Sequence, residues 1–248
     1  MFIESISKRF KNVSHDIILP LSSGHDSGAI ACAMDILNID YYSYSFYKNE
    51  NRKILSKRII KRMIKTPFRT ILRPDLKNEE IRNEIKQHLN QNCDKFYYGS
   101  NINILNIKGI DDPGAYGLTH VLKSVQKINK NIRIVASGQG GDEIYTRKKE
   151  YTFNKPNPEN FDNDLKKIFP WENFFYGCQI SYLSKEESVG GSFGMETRYP
   201  FLDKFVVQEY LNFSPKLKNQ MYKSPITNFL RTNSYPFRDG NYKSGFNP

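Results

Sequence analysis

Short apolar runs and helical stretches alternate through the first half of this 248-residue chain. A parallel strand can follow another only after a crossover, which is usually a helix. Strict alternation therefore favours an α/β fold, with a parallel sheet covered by helices on both faces. The predicted strands are Ile17–Leu21, Tyr41–Tyr47, Phe68–Leu72 and Ile132–Ala136, and the predicted helices are Ser27–Leu37, Arg52–Lys65, Leu76–Leu89 and Pro113 to about Ile128.

The pattern changes from about Tyr151, where prolines and long polar stretches replace the alternation. Helical pieces follow near Asn163–Ile168 and over Phe201–Phe213. We therefore expect an α/β domain over residues 1–150 and a helical lobe over residues 151–248, packed at the C-terminal edge of the sheet.

Composition excludes several classes of protein. The chain carries 37 Lys+Arg against 26 Asp+Glu, and its net charge of +11 favours the phosphates of a nucleotide or a nucleic acid. No apolar run approaches the roughly 18 residues of a membrane span, and the N-terminal residues do not resemble a signal peptide. The 3 cysteines and 4 histidines are scattered, which argues against a disulfide framework and a structural zinc site. The sequence predicts a soluble, cytoplasmic protein with no membrane partner.

The most informative segment is the turn Leu19-Pro20-Leu21-Ser22-Ser23-Gly24-His25-Asp26-Ser27-Gly28, between a predicted strand and a predicted helix. Consecutive amides before a helix, with the positive end of its dipole behind them, form a cradle for phosphate oxygens. Ser22 and Ser27 add hydroxyl donors, and Gly24 lets the backbone approach the anion. Asp26 would repel phosphate unless a cation lies between them, and Mg²⁺ suits that position. The alternative interpretation is that Ser and Asp only cap the helix.

A second glycine-rich turn, Ser137-Gly138-Gln139-Gly140-Gly141-Asp142-Glu143, follows the predicted strand Ile132–Ala136. If the sheet is parallel, this turn lies at the C-terminal end of its strand. That end is where open α/β folds bind their ligands.

Both turns resemble known motifs. The first resembles the Ser-Gly-Gly-x-Asp-Ser pyrophosphate-binding loop of PP-loop ATP pyrophosphatases, with Ser23 in place of a glycine. The second resembles the Ser-Gly-Glu-Gly-x-Asp-Glu segment in the synthetase domain of the asparagine synthetase family. Glu196–Asp203 is similar to that family's Glu-x-Arg-x-Pro-Phe-Leu-Asp, and Asn241–Phe246 to its C-terminal lysine segment. The segments follow the family's order and span nearly the whole chain.

The resemblance implies an adenine nucleotide alpha hydrolase-like fold of the PP-loop type, with ATP and Mg²⁺ bound. It assigns Asp142 to the magnesium ion beside Asp26, and Lys243 to the departing pyrophosphate. It also matches Lys223 to a second family lysine. The residues expected to bind the nucleotide are Leu21, Ser22, Ser23, Gly24, His25, Asp26, Ser27, Ser137, Gly138, Gly140 and Lys223.

The sequence also departs from the family pattern. Gln139 stands where the family usually has a glutamate, so it can orient an attacking amine but cannot deprotonate it. Glu143 is the nearest alternative base. No glutaminase half precedes the phosphate loop in this sequence, so we expect the amine to be ammonia, a substrate amine, or ammonia from a separate subunit. Glu196 and Arg198 have a structural alternative, an ion pair at a helix end.

These observations lead us to expect an ATP-dependent amide-forming ligase that adenylates a small-molecule or peptide carboxylate and releases AMP and pyrophosphate. One alternative is a PP-loop enzyme that adenylates tRNA, which the basic net charge would suit. Separately, the helix Arg52–Lys65 presents a basic face that could bind RNA or an acidic peptide, formed by Lys53, Lys57, Lys61 and Lys65 with Arg58 and Arg62 beside them. That face is also consistent with a simple solvated surface. A second alternative is a nucleotide-binding relative with impaired catalysis.

Overall fold

The structure, a computed structural model, describes residues 1–46, 50–73, 79–94, 96–98, 105–107, 112–146, 161 and 178–239. Its strands are β1 (Asp16–Pro20), β2 (Tyr42–Phe46), β3 (Thr70–Arg73), β4 (Phe96–Tyr98), β5 (Leu105–Ile107), β6 (Ile132–Ala136) and β7 (Glu196–Arg198). Its helices are α1 (Phe2–Phe10), α2 (His25–Ile36), α3 (Arg52–Lys65), α4 (Glu79–Asn92), α5 (Pro113–Ile128), α6 (Gly141–Tyr145), α7 (Cys178–Ser192), α8 (Lys204–Asn212), α9 (Pro215–Lys218) and α10 (Ser224–Thr232), with short 3₁₀ turns at Pro67–Arg69 and Pro200–Leu202.

The main sheet has five parallel strands in the order β3-β2-β1-β6-β7, and β4 and β5 form a separate antiparallel pair. From β1 the chain builds outward through β2 to β3, and it then returns to place β6 on the other side of β1. This reversal of strand order opens a crevice at the C-terminal ends of β1 and β6, where open α/β sheets bind ligands. The predicted parallel sheet is confirmed.

Alternate side chains of the central strands enter two apolar cores, one on each face of the sheet. Ile17 and Leu19 of β1 pack in one core with residues of α1, α2 and α10. Ile18, between them, packs in the other core with residues of α4, α5 and α7. Every β1 side chain from Ile17 to Leu19 is therefore buried, as expected for a central parallel strand. The predicted helices on both faces are confirmed.

Most predicted elements of the first half lie within a few residues of their expected bounds. Helix α2 begins at His25, two residues before the predicted start, and β3 begins at Thr70, after a 3₁₀ turn. The sequence did not predict α1, α6, α7, α9, α10 or the β4–β5 pair. The predicted helix near Asn163–Ile168 lies outside the described residues. No helix in the described part of the chain is long and apolar enough to span a membrane.

The sequence of α3 predicts that an apolar stripe faces the core, and this prediction is partly wrong; the stripe is Ile54, Leu55, Ile59, Ile60, Met63 and Ile64. Leu55 and Ile59 are buried, but Ile60, Met63 and Ile64 are 57%, 50% and 79% exposed. The buried face runs instead through Leu55, Arg58, Ile59 and Arg62, which still follow helical spacing. The apolar pattern failed here because two arginines take core positions.

The predicted basic face of α3 is corrected by the same observation. Arg58 and Arg62 are 0% and 2% exposed, so neither belongs to the surface. The Arg62 guanidinium stacks 3.6 Å from the Tyr41 ring centroid and donates to Asp35 Oδ1 at 3.1 Å. The lysines at positions 53, 57 and 65 remain exposed.

The sequence predicted a helical lobe for the second half, but the structure shows that this half also contains a strand. Residues Glu196–Arg198 form β7, which extends the main sheet by pairing with β6. The 3₁₀ turn after β7 is tied to α1, because Ser5 Oγ donates to Pro200 O at 2.7 Å. Arg9 and Asp203 form a further link at 2.8 Å. This part of the second half is therefore built into the sheet domain.

Candidate active site

The phosphate-loop segment connects β1 to α2 and is held by its own hydroxyl groups. Ser22 Oγ and Ser27 Oγ lie 2.8 Å apart, and the Gly24 amide donates to Ser22 Oγ at 3.1 Å. Gly24 is the N-cap of α2, and no side chain caps the helix. The alternative interpretation, in which Ser and Asp serve only as helix caps, is therefore wrong for these side chains.

Ser23 is hydrogen-bonded to Glu50, which lies just before α3. Its amide donates to Glu50 Oε2 at 2.6 Å, and its hydroxyl also bonds to that carboxylate. The Ser22 and Gly24 amides likewise have side-chain acceptors within the loop. A phosphate entering this turn would therefore meet hydroxyl groups that must rotate before it reaches these amides.

Arg58 of α3 holds the backbone of the phosphate-loop segment in place through hydrogen bonds. Its guanidinium donates to the carbonyl oxygens of Ser22 and Gly24, and its Nε donates to Pro236 O at 2.9 Å. Burial lowers the pKa of Arg58 from its ordinary value, but arginine remains charged at any physiological pH. The clamp holds two loop carbonyls toward α3, so they do not face the cavity as acceptors.

The second turn places Asp142 at the start of α6. Gly140 has φ +89°, a conformation that favours glycine, and its amide donates to Glu143 Oε2 at 3.0 Å. A Cβ at Gly141 would overlap the Asp26 carboxylate. The glycines therefore let the two turns touch, and Glu143 is engaged in capping its own helix.

Asp26 and Asp142, on the two turns, share one buried ammonium group. Lys223 Nζ lies 2.6 Å from both carboxylate oxygens of Asp26 and 2.8 Å from Asp142 Oδ1. Tyr222 donates to Asp142 Oδ1 at 3.2 Å. Burial opposes the charged form of Lys223, but Asp142 and Asp26 raise its pKa well above the ordinary value. The expected convergence of these two carboxylates is therefore seen in the structure.

His25 is neutral at physiological pH. Its ring packs edge-on against Tyr222, with centroids 5.4 Å apart, and lies 6.1 Å from the Phe237 ring. Burial, together with the charges of Lys223 and Arg58, lowers the pKa of His25 to about 4. His25 therefore adds an aromatic wall to the site and no positive charge.

Gln139 is hydrogen-bonded to a carboxylate that the sequence analysis did not predict in the site. Its Nε2 donates to Oε1 of Glu186, on α7, at 2.9 Å. Burial raises the pKa of Glu186 above its ordinary value, against the opposing effects of Ser137, Lys185 and Gln139. A second charged pair stands beside it, with Lys185 Nζ 3.4 Å from Asp112 Oδ1.

These groups surround a single cavity of about 340 Å³. Most of the predicted site residues line it, but Leu21 and Gly140 do not. Leu21 is buried and bonded through its backbone to β2, and the Cβ position of Gly140 faces Leu202. Lys243 lies outside the described residues. The predicted residues in the wall are Ser22, Ser23, Gly24, His25, Asp26, Ser27, Ser137, Gly138, Gln139, Asp142, Glu143 and Lys223.

The segment around Glu196 lies away from the cavity. Arg198 bonds to both carboxylate oxygens of Glu196 at 2.9 Å, and the Ser137 amide donates to Arg198 O at 3.0 Å. Phe201 is buried in the core. These residues form the structural ion pair of the alternative interpretation, although on a strand instead of a helix end. Their backbone holds the start of the second turn.

The cavity wall also includes residues that no sequence motif indicated. Several come from α7 or its partners, and their sequence distance from the two turns hides them from a local pattern. Asp112 had one weak signal, because it directly precedes the proline that opens α5. The missed wall residues are Asp112, Gly114, Leu118, Tyr182, Lys185, Glu186, Tyr222 and Arg238.

Comparison with known proteins adds no assignment. No protein-family model matches the chain, and no curated protein matches it either. The function proposed below therefore rests on the cavity, its charged residues and the four motif resemblances.

Proposed function

We propose that this protein is an ATP-dependent amide-forming ligase, similar to the synthetase domain of asparagine synthetases. A carboxylate would attack the α-phosphorus of ATP, forming an acyl-adenylate and pyrophosphate. An amine would then displace AMP and form the amide. The cavity at the ends of β1 and β6 would hold both half-reactions.

One observation carries this proposal: two carboxylates and one lysine meet in the cavity that the phosphate-loop hydroxyls also line. A site for a nucleoside triphosphate needs hydroxyl or amide groups that donate hydrogen bonds to the phosphate oxygens, and cations that balance the phosphate charge. Ser22 and Ser27 offer the donors. The carboxylates of Asp26 and Asp142 already bind one cation, the ammonium group of Lys223.

The residues present fit a magnesium ion. A cation already lies between Asp26 and Asp142, so their oxygens are oriented toward a common positive charge. Mg²⁺ is commonly bound by one or two carboxylates, with phosphates and water completing its shell. Among the described residues, no group of three or more His, Cys, Asp or Glu side chains could hold a metal ion. When bound, Mg²⁺ would neutralise charge on the ATP phosphates.

The chain's own residues would then divide the remaining tasks. Lys223, once its carboxylates pair with another cation, can donate to a phosphate oxygen. Arg58 keeps the loop carbonyls turned away from the anion. Lys243, by its resemblance to the family lysine, would offset charge on the departing pyrophosphate. The amine would be ammonia or a substrate amine, and a separate subunit remains a proposed source of ammonia.

An RNA-adenylating role finds less support. A basic face of α3 would have supplied an RNA-binding surface, but two of the cations assigned to it, Arg58 and Arg62, are buried in the fold. The exposed lysines of α3 suffice for an ordinary solvated surface.

The test is ATP–pyrophosphate exchange, which reports reversible adenylation without the second substrate. Amino acids and other carboxylates are screened singly with labelled pyrophosphate, ATP and Mg²⁺. We expect exchange with at least one carboxylate, and a loss of about 10²-fold or more in Asp142→Asn. Asp40→Asn, which alters an exposed carboxylate outside the cavity, is the matched control and should keep its rate. Exchange that survives unchanged in Asp142→Asn would contradict the proposed site.

A further inference from the structure

Arg238 is a cation in the cavity wall to which the proposed adenylation assigns no task. Among the described residues of that wall, the other cationic side chains are Lys185 and Lys223, and each lies within 3.4 Å of a carboxylate oxygen. Both lysine side chains are buried, whereas Arg238 lines the cavity and is also exposed to solvent. Arg238 therefore lies at the mouth of the cavity, where a ligand enters and leaves.

The segment Tyr235–Asp239 follows α10 and contacts the phosphate loop through its first half. Arg58, which holds two loop carbonyls, also donates from Nε to Pro236 O at 2.9 Å. The Phe237 ring lies 6.1 Å from the ring of His25, the first residue of α2. One arginine thus links this segment to the loop, and the residue that follows Phe237 lies beside the start of α2.

The same segment is also attached to α10 and to the core. Asp239 Oδ1 accepts from Nη2 of Arg231, on α10, at 2.9 Å. Tyr235, at the other end of the segment, is buried in the core. These contacts on both sides hold the backbone of Arg238 at the mouth, and its side chain lines the same cavity as the loop hydroxyls.

A triphosphate in this cavity needs more positive charge than one Mg²⁺ supplies. His25 is neutral at physiological pH and contributes none. Pyrophosphate must leave through the mouth after the carboxylate has attacked the α-phosphorus, so the β- and γ-phosphates lie nearer to the mouth than the α-phosphate does. A guanidinium group at the mouth can donate two parallel hydrogen bonds to the oxygens of those phosphates.

We propose that Arg238 binds the β- and γ-phosphates of ATP and the pyrophosphate that leaves. This inference rests on the proposed ligase function and deepens it, because it identifies a group that selects a triphosphate over a monophosphate. The guanidinium stays protonated throughout, so it acts through charge and hydrogen bonds and moves no proton. Because Arg58 links its segment to the phosphate loop, the loop and the Arg238 guanidinium can bind one anion together.

The test measures ligand binding to the full chain by calorimetry, with Mg²⁺ and without a carboxylate substrate, so that no turnover interferes. ATP, inorganic pyrophosphate and AMP are titrated into wild type, Arg238→Met and Arg238→Lys. We expect Arg238→Met to bind ATP and pyrophosphate about 10-fold or more weakly, because charge-assisted hydrogen bonds are lost, and AMP less than about 3-fold more weakly. Arg238→Lys should recover only part of the loss, since an ammonium group cannot form the two parallel bonds.

Arg82→Met removes an exposed arginine of α4 outside the cavity wall, and this matched control should leave all three affinities unchanged. Urea unfolding should give the same midpoint for Arg238→Met and wild type, because the side chain is exposed. Unchanged affinity for ATP or pyrophosphate in Arg238→Met would overturn the inference. An equal loss of ATP and AMP binding, or a lowered midpoint, would also overturn it, because the arginine would then support the fold. Absence of ATP binding in wild type would instead defeat the proposed ligase function.

Discussion

Lys223 is placed between two carboxylates at the start of α10, in a left-handed backbone conformation with φ 46°. Such a conformation costs a non-glycine residue about 1 kcal/mol, so it persists only where surrounding contacts impose it. The contacts to Asp26 and Asp142 supply that constraint. Together they make the polar centre of the cavity dependent on one ammonium group.

Removing the Lys223 ammonium group should lower the stability of the protein, and another cation bound at the same carboxylates should restore part of that stability. We expect Lys223→Met to lower the free energy of unfolding by about 2 kcal/mol, because two partly buried carboxylates then face each other without a cation. Urea unfolding measures the loss. Millimolar Mg²⁺ should restore part of it, and Lys223→Met with Asp142→Asn should lose less than Lys223→Met alone.

Lys216→Met is the matched control, since Lys216 is exposed on α9 and should change stability by less than about 0.5 kcal/mol. An equal effect of Mg²⁺ on wild type and Lys223→Met would argue against a cation site at these carboxylates.

Arg58 should couple the fold to nucleotide binding. Replacing it by methionine leaves the Ser22 and Gly24 carbonyls without their buried donor, which should cost about 3 kcal/mol of stability. The loop should also lose its fixed shape, so we expect Mg-ATP to bind at least about 10-fold more weakly by calorimetry. Lys57→Met, one residue away and exposed, should change neither quantity. Unchanged affinity in Arg58→Met would show that the loop needs no clamp.

Residues of the site could be predicted from sequence only where they lie together in one turn. Ser22, Asp26 and Asp142 belong to such turns, and the structure brings them into one cavity. Arg58 and Glu186 contact those turns from 36 and 47 residues away, across the crossovers of the sheet. No local pattern carries that information, because tertiary packing alone sets which helix faces which turn.

At the scale of elements, α3 shows why an apolar pattern can mislead. The helix has apolar residues on two sides. Arg58 and Arg62 can occupy the buried side because their guanidinium groups donate there to backbone carbonyl oxygens and, for Arg62, to the Asp35 carboxylate. The apolar residues left outside are normal for a protein surface when they are few. The helix and its bounds were still predicted correctly, since helical periodicity does not depend on which face is buried.

This orientation of α3 can be tested by stability alone. Ile64→Lys should change the free energy of unfolding by less than about 0.5 kcal/mol, because Ile64 is 79% exposed. Leu55→Ala, on the buried face of the same helix, should cost about 2–5 kcal/mol. Urea unfolding of both variants gives the comparison. A large loss in Ile64→Lys would mean that α3 packs through its other side.

Strand β7 was beyond prediction for a different reason. It has three residues, which is too few for a period of two to be recognised. Its identity as a strand comes from the edge of β6, whose backbone groups it pairs. Short edge strands of this kind are defined by the sheet and not by their own sequence.

At the scale of the whole molecule, strand order explains where the chemistry is concentrated. The alternation of strands and helices predicted a parallel sheet, and the reversal between β1 and β6 brings two glycine-rich turns together at one edge. The order of the strands was not predictable from alternation, because several orders satisfy the same pattern. The observed order places the cavity between two turns that resemble motifs of one family.

The central claim is that a carboxylate attacks the α-phosphorus of ATP in this cavity. The most direct measurement uses the carboxylate that supports exchange, labelled with ¹⁸O on both carboxyl oxygens, and determines the isotope content of the AMP by mass spectrometry. We expect AMP to carry one ¹⁸O, because the attacking oxygen stays on phosphorus when the amine displaces AMP. Unlabelled AMP, or ADP with the label in orthophosphate, would contradict adenylation.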